Sequence, residues 1–242
     1  MPFHMRFIVK LLALAVCATA PYSSAAQAVD NTRYISITGS NANACTLAAP
    51  CLTLQRGINA TPTGGELRIL DSGVSANIAT VSKSMTISGN GNTVFLGVSG
   101  MRIDDADAVV TVRGLTLDGQ GTIANGILIV AAAAVHIEGC VIHGFTNTGI
   151  SAPDPSVAEV FVLDSTSRDN GLFRLLSRAS RLTVDDSRFD NNGLDGVYVE
   201  SGLARTSRCA ASGDGRSRHR RAGGIPRGAV RQRCVDDGGA QW

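Results

Sequence analysis

Residues 110–118 read VTVRGLTLD, and residues 135–143 read VHIEGCVIH. Laid one over the other, Val110 meets Val135, Val112 meets Ile137, Gly114 meets Gly139 and Leu117 meets Ile142. The frame recurs at Met85 (MTISG), Val160 (VFVLD) and Leu182 (LTVDD), so successive starts lie 25, 25, 25 and 22 residues apart. In every copy the first and third positions are apolar. Such alternation describes a strand with one buried face, because successive side chains point to opposite sides. The fifth position is Gly89, Gly114, Gly139, Asp164 or Asp186, residue types that tolerate positive φ, so a bend is expected there in each copy.

A second short strand follows each bend. Its inward positions are Leu115/Leu117, Cys140/Ile142, Ser165/Ser167 and Ser187/Phe189. A third strand is expected at NGILIV from Asn125, TGIS from Thr148 and DGVYV from Asp195. The run ILIVAAAAV (127–135) reads as a strand, a compact turn of small residues and the next strand. Three strands per repeat predict an all-β fold, a right-handed parallel β-helix. One coil cannot bury its own inner face, but stacked coils ~4.8 Å apart share a core and bond backbone to backbone.

Composition agrees. Of 242 residues, 44% are hydrophobic, enough for a core, while only 17% are charged and 5% aromatic. Together with 27 glycines this favours a turn-rich β chain over a helical bundle and excludes global disorder.

The ends differ from the middle. Residues 1–28 read as a secretory signal peptide: Arg6 and Lys10, an apolar stretch from Leu11 to Ala20, then Ala26-Gln27-Ala28 as cleavage pattern. The apolar stretch is short for a bilayer span. A secreted or periplasmic mature chain is therefore expected, with no membrane span. Residues 29–65 form an N-terminal cap. Cys45 and Cys51, six positions apart, are expected to pair in an oxidising compartment. CLTLQRGINA from Cys51 suggests a short capping helix, and GELRILDSG a first strand. Residues 66–202 form the coils.

Residues 203–242 carry 9 Arg and 3 Asp and show no period, whereas residues 29–202 carry 11 Lys/Arg against 17 Asp/Glu. The basic tail has three readings: a segment that docks on acidic polymer, a disordered linker, or out-of-frame translation of further coils.

The stretch NACTLAAPCLTLQRGINA…GGELRILDSG, followed by repeats of the VTVRGLTLDG…NGILIV type, resembles secreted bacterial proteins of the right-handed parallel β-helix, pectate-lyase-like superfamily. The resemblance covers roughly residues 31–201. It implies the fold and a bias towards carbohydrate ligands, and leaves the activity open.

Two groups of residues suggest chemistry. Asp104, Asp105 and Asp107 are close enough in sequence for Ca²⁺, which takes several oxygen ligands; the alternative is a solvated turn. Stacking in register would also align Asp118, His143, Arg168 and Asp190 in one outward column. A polysaccharide lyase needs a base and cations at a uronate, and this column offers Arg168 as base or clamp, with Asp118 and Asp190 as calcium ligands. The plainer reading is a solvated ladder of charge. No NTD, GHG or RIK set, phosphate loop, zinc cluster or GxSxG elbow occurs. Phe161 and Tyr198 are expected to point outward as single aromatics. The reading that follows is a monomeric, polysaccharide-binding protein without a cofactor and without nucleic acid as partner. A lyase or hydrolase acting on acidic polysaccharide, and a structural or adhesive surface protein or truncated gene product, are its alternatives.

Overall fold

A computed structural model describes residues 30–76, 79–97, 100–173, 175–193 and 197–212. The proposed signal peptide and residues 213–242 of the basic tail lie outside them.

The chain winds through three parallel sheets, visiting each in turn. The first sheet contains β1 (Thr32–Ile35), β2 (Glu66–Ile69), β5 (Met85–Ser88), β8 (Val109–Arg113), β11 (Ala134–Glu138), β14 (Glu159–Leu163), β17 (Arg181–Asp185) and β20 (Leu203–Ser207), in that order. The second contains β3 (Val74–Ala76), β6 (Thr93–Leu96), β9 (Thr116–Asp118), β12 (Val141–His143), β15 (Thr166–Arg168), β18 (Arg188–Asp190) and β21 (Ala210–Ser212). The third contains β4 (Ala79–Val81), β7 (Met101–Asp104), β10 (Asn125–Ala131), β13 (Thr148–Ala152), β16 (Leu175–Ser177) and β19 (Val197–Val199). This is the expected parallel β-helix, with like positions of successive repeats hydrogen-bonded neighbours.

Alternation explains the core. Leu67, Ile87, Val112, Ile137, Val162 and Val184 stack in register down the first sheet, and all are buried. Each such side chain contributes about 2 kcal/mol of transfer free energy. The residues between them, such as Thr86, Thr111 and His136, face outward and are half-buried. The alanine-rich run behaves as expected: β10 ends at Ala131, Ala132 and Ala133 turn, and β11 begins at Ala134.

The bend after the first-sheet strand recurs at Gly114, Gly139, Asp164, Asp186 and Arg208, all with positive φ. Gly89 departs from the sequence expectation. The left-handed residues there are Asn90 and Gly91, because four residues rather than two separate β5 from β6.

The N-terminal cap contains the expected short helix, α1 (Leu54–Ala60). Thr53 caps it by accepting from the Arg56 N–H at 3.3 Å. Leu54, Gly57 and Ile58 form its buried face. The helix also closes a sheet edge. Gln55 Oε1 accepts from the Thr80 N–H at 2.7 Å, and Gln55 Nε2 donates to the Thr80 carbonyl at 3.2 Å. Thr80 lies on β4, the terminal strand of the third sheet, so one side chain occupies the two backbone groups that a neighbouring strand would otherwise take. Cys45 and Cys51 are bonded, with Cα atoms 4.6 Å apart.

Two boundaries move. The first strand is β1, not the GELRI stretch, which becomes β2. At the other end the coil continues past Gly202: β20 pairs with β17 and β21 with β18. The first ten residues assigned to the tail therefore complete two more strands. They escape the apolar pattern because Ala204 and Thr206 stand where Leu182 and Val184 stood one coil earlier. Among the described residues, no helix is long and apolar enough to cross a membrane.

Candidate functional site

The second sheet places the sequence-derived column as expected. Asp118, His143, Arg168 and Asp190 are Cα partners on successive strands. Their contacts divide the column. His143 Nδ1 lies 3.8 Å from Asp118 Oδ1, and both side chains are about one-fifth exposed (22% and 23%). Asp118 also accepts the Gln120 N–H at 2.8 Å, which fixes its rotamer at the corner. Arg168 pairs with Asp169, the next residue on its own coil. Asp190 pairs with Arg188 at 3.2 Å.

Asp169 is a member that sequence reasoning missed. It sits at the next corner with positive φ. Its carboxyl is held below the usual carboxylate range, first by a 2.7 Å hydrogen bond from Asn191, then by Arg168 and the nearby His143, against an opposing push from burial. His143 therefore lies near two carboxylates from neighbouring coils. The signal was present: Asp169 and Asn191 follow Arg168 and Asp190 as Gly144 follows His143.

Two parts of the chemical expectation need correction. Asp118 and Asp190 cannot share a calcium ion, because the register sets them three coils apart, roughly 14 Å at the usual strand spacing. The acidic loop does not gather either. Asp104 pairs with Arg102 at 2.7 Å, and Asp105 accepts the Asp107 N–H in a local turn. Among the described residues, no group of three His, Cys, Asp or Glu is placed to hold a metal ion.

The first sheet carries a second polar constellation. Glu66 on β2 accepts from Arg68 Nε and Nη2 on one oxygen, at 3.0 and 2.9 Å. Its other oxygen accepts from Arg113 Nη2 at 2.7 Å. Arg113 belongs to β8, two coils on, so its side chain reaches back across β5. In the same column Ser88 lies between the two arginines; it points outward yet is only 6% exposed. Glu66, Arg68, Ser88, Asn90, Arg113 and Gly114 line an open cleft of about 390 Å³. Burial alone would raise the Glu66 carboxyl, but hydrogen bonds and charge from Arg68 and Arg113 outweigh it and hold the group below its ordinary value.

The outward aromatics are not single. His136 on β11 and Phe161 on β14 stack with centroids 4.6 Å apart and planes within 5°. Phe173 and Tyr198 stack at 5.1 Å and 25°. Register creates the first pair, since residues 25 apart in this chain become neighbours on adjacent strands.

Comparison with known proteins supports the architecture. A family described as right handed beta helix region matches residues 99–217. No curated protein and no solved structure matches the chain.

Proposed function

This chain carries a right-handed β-helix region, and from that premise we propose that it is an exported protein that binds an extracellular or envelope polysaccharide on its outward faces. One observation carries the reading. Hydrogen-bonding side chains on successive coils fall into register, as in the Asp118–His143–Arg168–Asp190 column. Such a column repeats every ~4.8 Å, a length of the same order as one sugar unit in an extended glycan. A polymer lying along the coil axis therefore meets a donor or acceptor at each coil. The Cys45–Cys51 bond suits an oxidising compartment.

A glycan array probed with the full chain tests the proposal. Binding to at least one acidic or neutral glycan, weakened in His143→Ala, is the expected result. No binding across the array would overturn it.

A further inference from the structure

The two ends of the coil stack differ. At the start, the Cys45–Cys51 loop lies along the first strand of the first sheet. The Tyr34 N–H donates to the Cys45 carbonyl at 2.8 Å, and the Cys51 and Ser36 N–H groups donate to the Tyr34 and Cys51 carbonyls, both at 2.9 Å. Gln55 occupies backbone groups of β4 in the third sheet. At the far end, among the described residues, the sheets stop at β20, β21 and β19. The core thins there: Leu182 and Val184 are fully buried, whereas Ala204 and Thr206, one coil on, are half-buried, and Leu203 is exposed. A bare terminal coil offers its edge to another chain, so a solenoid needs a closing element with a polar outer face.

Cysteine register points to that element. The residues that follow the first-sheet bends form an inward column of Leu115, Cys140, Ser165, Ser187 and Cys209, all buried. They are spaced 25, 25, 22 and 22 residues apart. Cys209 holds the last described place in the column and is disulfide-bonded. Cys45 and Cys51 are bonded to each other and Cys140 is a free thiol, so of the 6 cysteines Cys17 and Cys234 remain as partners within the chain. Cys17 lies in the proposed signal peptide. Cys234 follows Cys209 by 25 residues, one coil length, and falls in the next place of the same column. Neighbouring places lie ~4.8 Å apart, inside the Cα range of a disulfide. A bond to an inward sulfur also fixes position, since its partner has to lie over the end of the core. The backbone carries the same register. The N–H groups of Gly114, Gly139 and Asp164 donate to the carbonyls of Glu138, Leu163 and Asp185 on the following coil, at 2.8, 3.0 and 3.1 Å. Asp186 departs from the series, bonding Asp185 Oδ1 at 3.0 Å. Arg208 is the next bend, with positive φ, and in this register its amide faces the open end.

We propose that the segment after residue 212 returns to the open end of the stack as a closing coil, locked there by a Cys209–Cys234 disulfide. Its composition suits that place. Residues 213–242 carry seven arginines and three aspartates, opposite in sign to the carboxylate excess of residues 29–202. Only the inner face of a closing coil meets the core, so polar residues are tolerated and no apolar alternation marks it. Closure is oxidative: the two thiols give up two electrons and two protons to a disulfide donor, which leaves as a pair of thiols by thiol–disulfide exchange. The inference is independent of the polysaccharide reading.

Peptide mapping of the full chain under non-reducing conditions tests the bond. A linked peptide joining Cys209 to Cys234, recovered from monomer, is the expected result. Cys209 joined to Cys17, joined to the Cys209 of a second copy, or recovered as a free thiol would overturn the inference. Hydrogen exchange tests the position in the same unaltered chain. The Arg208 amide should exchange about a hundredfold more slowly than an open-coil amide. Exchange at the open-coil rate in the oxidised chain would mean that the segment is tethered beside the stack, and would overturn the inference as well. Cys234→Ser should remove the Arg208 protection, lower the melting midpoint by about 4 °C or more, and promote self-association as concentration rises. Cys209→Ser with Cys234→Ser should match the single variant, because both lose one shared bond. A Cys234→Ser chain that keeps its midpoint and its Arg208 protection would show that the end is closed by something else.

Discussion

Buried polar side chains hold neighbouring coils together one residue at a time. Ser165 Oγ accepts the Cys140 N–H at 3.1 Å and donates to the Leu163 carbonyl at 2.8 Å. Ser187 repeats this one coil on, accepting from Ser165 N–H and donating to Asp185 carbonyl. At the next corner Asn170 Oδ1 accepts the Phe145 N–H, and Asn192 Oδ1 accepts the Asn170 N–H. These groups occupy turn positions where the strand ladder offers no partner, so the side chain supplies it. Removing one leaves a buried amide unsatisfied. Asn192→Ala should cost about 1–3 kcal/mol in urea unfolding, and an unchanged midpoint would refute the ladder's role. The serines were legible as inward positions because the repeat frame located them. The asparagines were not: nothing in the alternation marks a polar residue as inward, and only the bend before it betrays the position. Cys140 shares the serine column; burial above all pushes its thiol up to about 11, so it behaves as a packing residue.

Elements depend on how closely coils approach. A Cβ on Gly171 would lie 2.0 Å from the Thr146 carbonyl oxygen, a backbone atom that cannot move aside without displacing its coil. Gly171→Ala should therefore destabilise the protein by about 1–3 kcal/mol, on the scale of overpacking. A melt within error of the parent would show that the corner is looser than described. At the start of the coil, Gly57 lets α1 sit on Ile35 and Leu67; its Cβ would lie 2.7 Å from a methyl of each. The first-sheet strands from Met85 to Asp185 were readable because their inward positions are large and regularly spaced, whereas β6, β7 and β16 were not read. β1 and β20 were harder for separate reasons. β1 (TRYI) is short and precedes a long loop, so it shows too little alternation to register. β20 has small inward residues and an exposed Leu203, which inverts the usual pattern. Of the candidate site, the column could be read from register alone. The Glu66–Arg113 contact could not, because it joins residues 47 apart that belong to non-adjacent coils.

The whole molecule is a stack whose outer faces carry paired carboxylates, and this sets its response to acid. Glu66, Asp169 and Glu200 all have carboxyls held below their ordinary values. For Glu66 burial opposes the shift and the two arginines outweigh it; for Asp169 the Asn191 hydrogen bond leads, and for Glu200 the Arg178 hydrogen bond. A depressed folded-state pKa stabilises the fold above the unfolded value and loses that contribution as pH falls through the folded value. Stability should accordingly be level from pH 7 to about 5, then decline from about pH 4 downward. A melting temperature that rises on acidification would contradict the pairing.

All of this rests on repeats 25 residues apart lying side by side with matched faces. Val141 and Thr166 are outward Cα partners on β12 and β15, whereas Ser167 in the same strand is buried and faces inward. Cα atoms one strand spacing apart, ~4.8 Å, are within disulfide range. Paired substitutions Val141→Cys and Thr166→Cys should cross-link on oxidation or with a short bis-thiol reagent, and Val141→Cys with Ser167→Cys should not. Cross-linking of the second pair in preference to the first would mean that the coils are out of step, and the columns on which the function is argued would not exist.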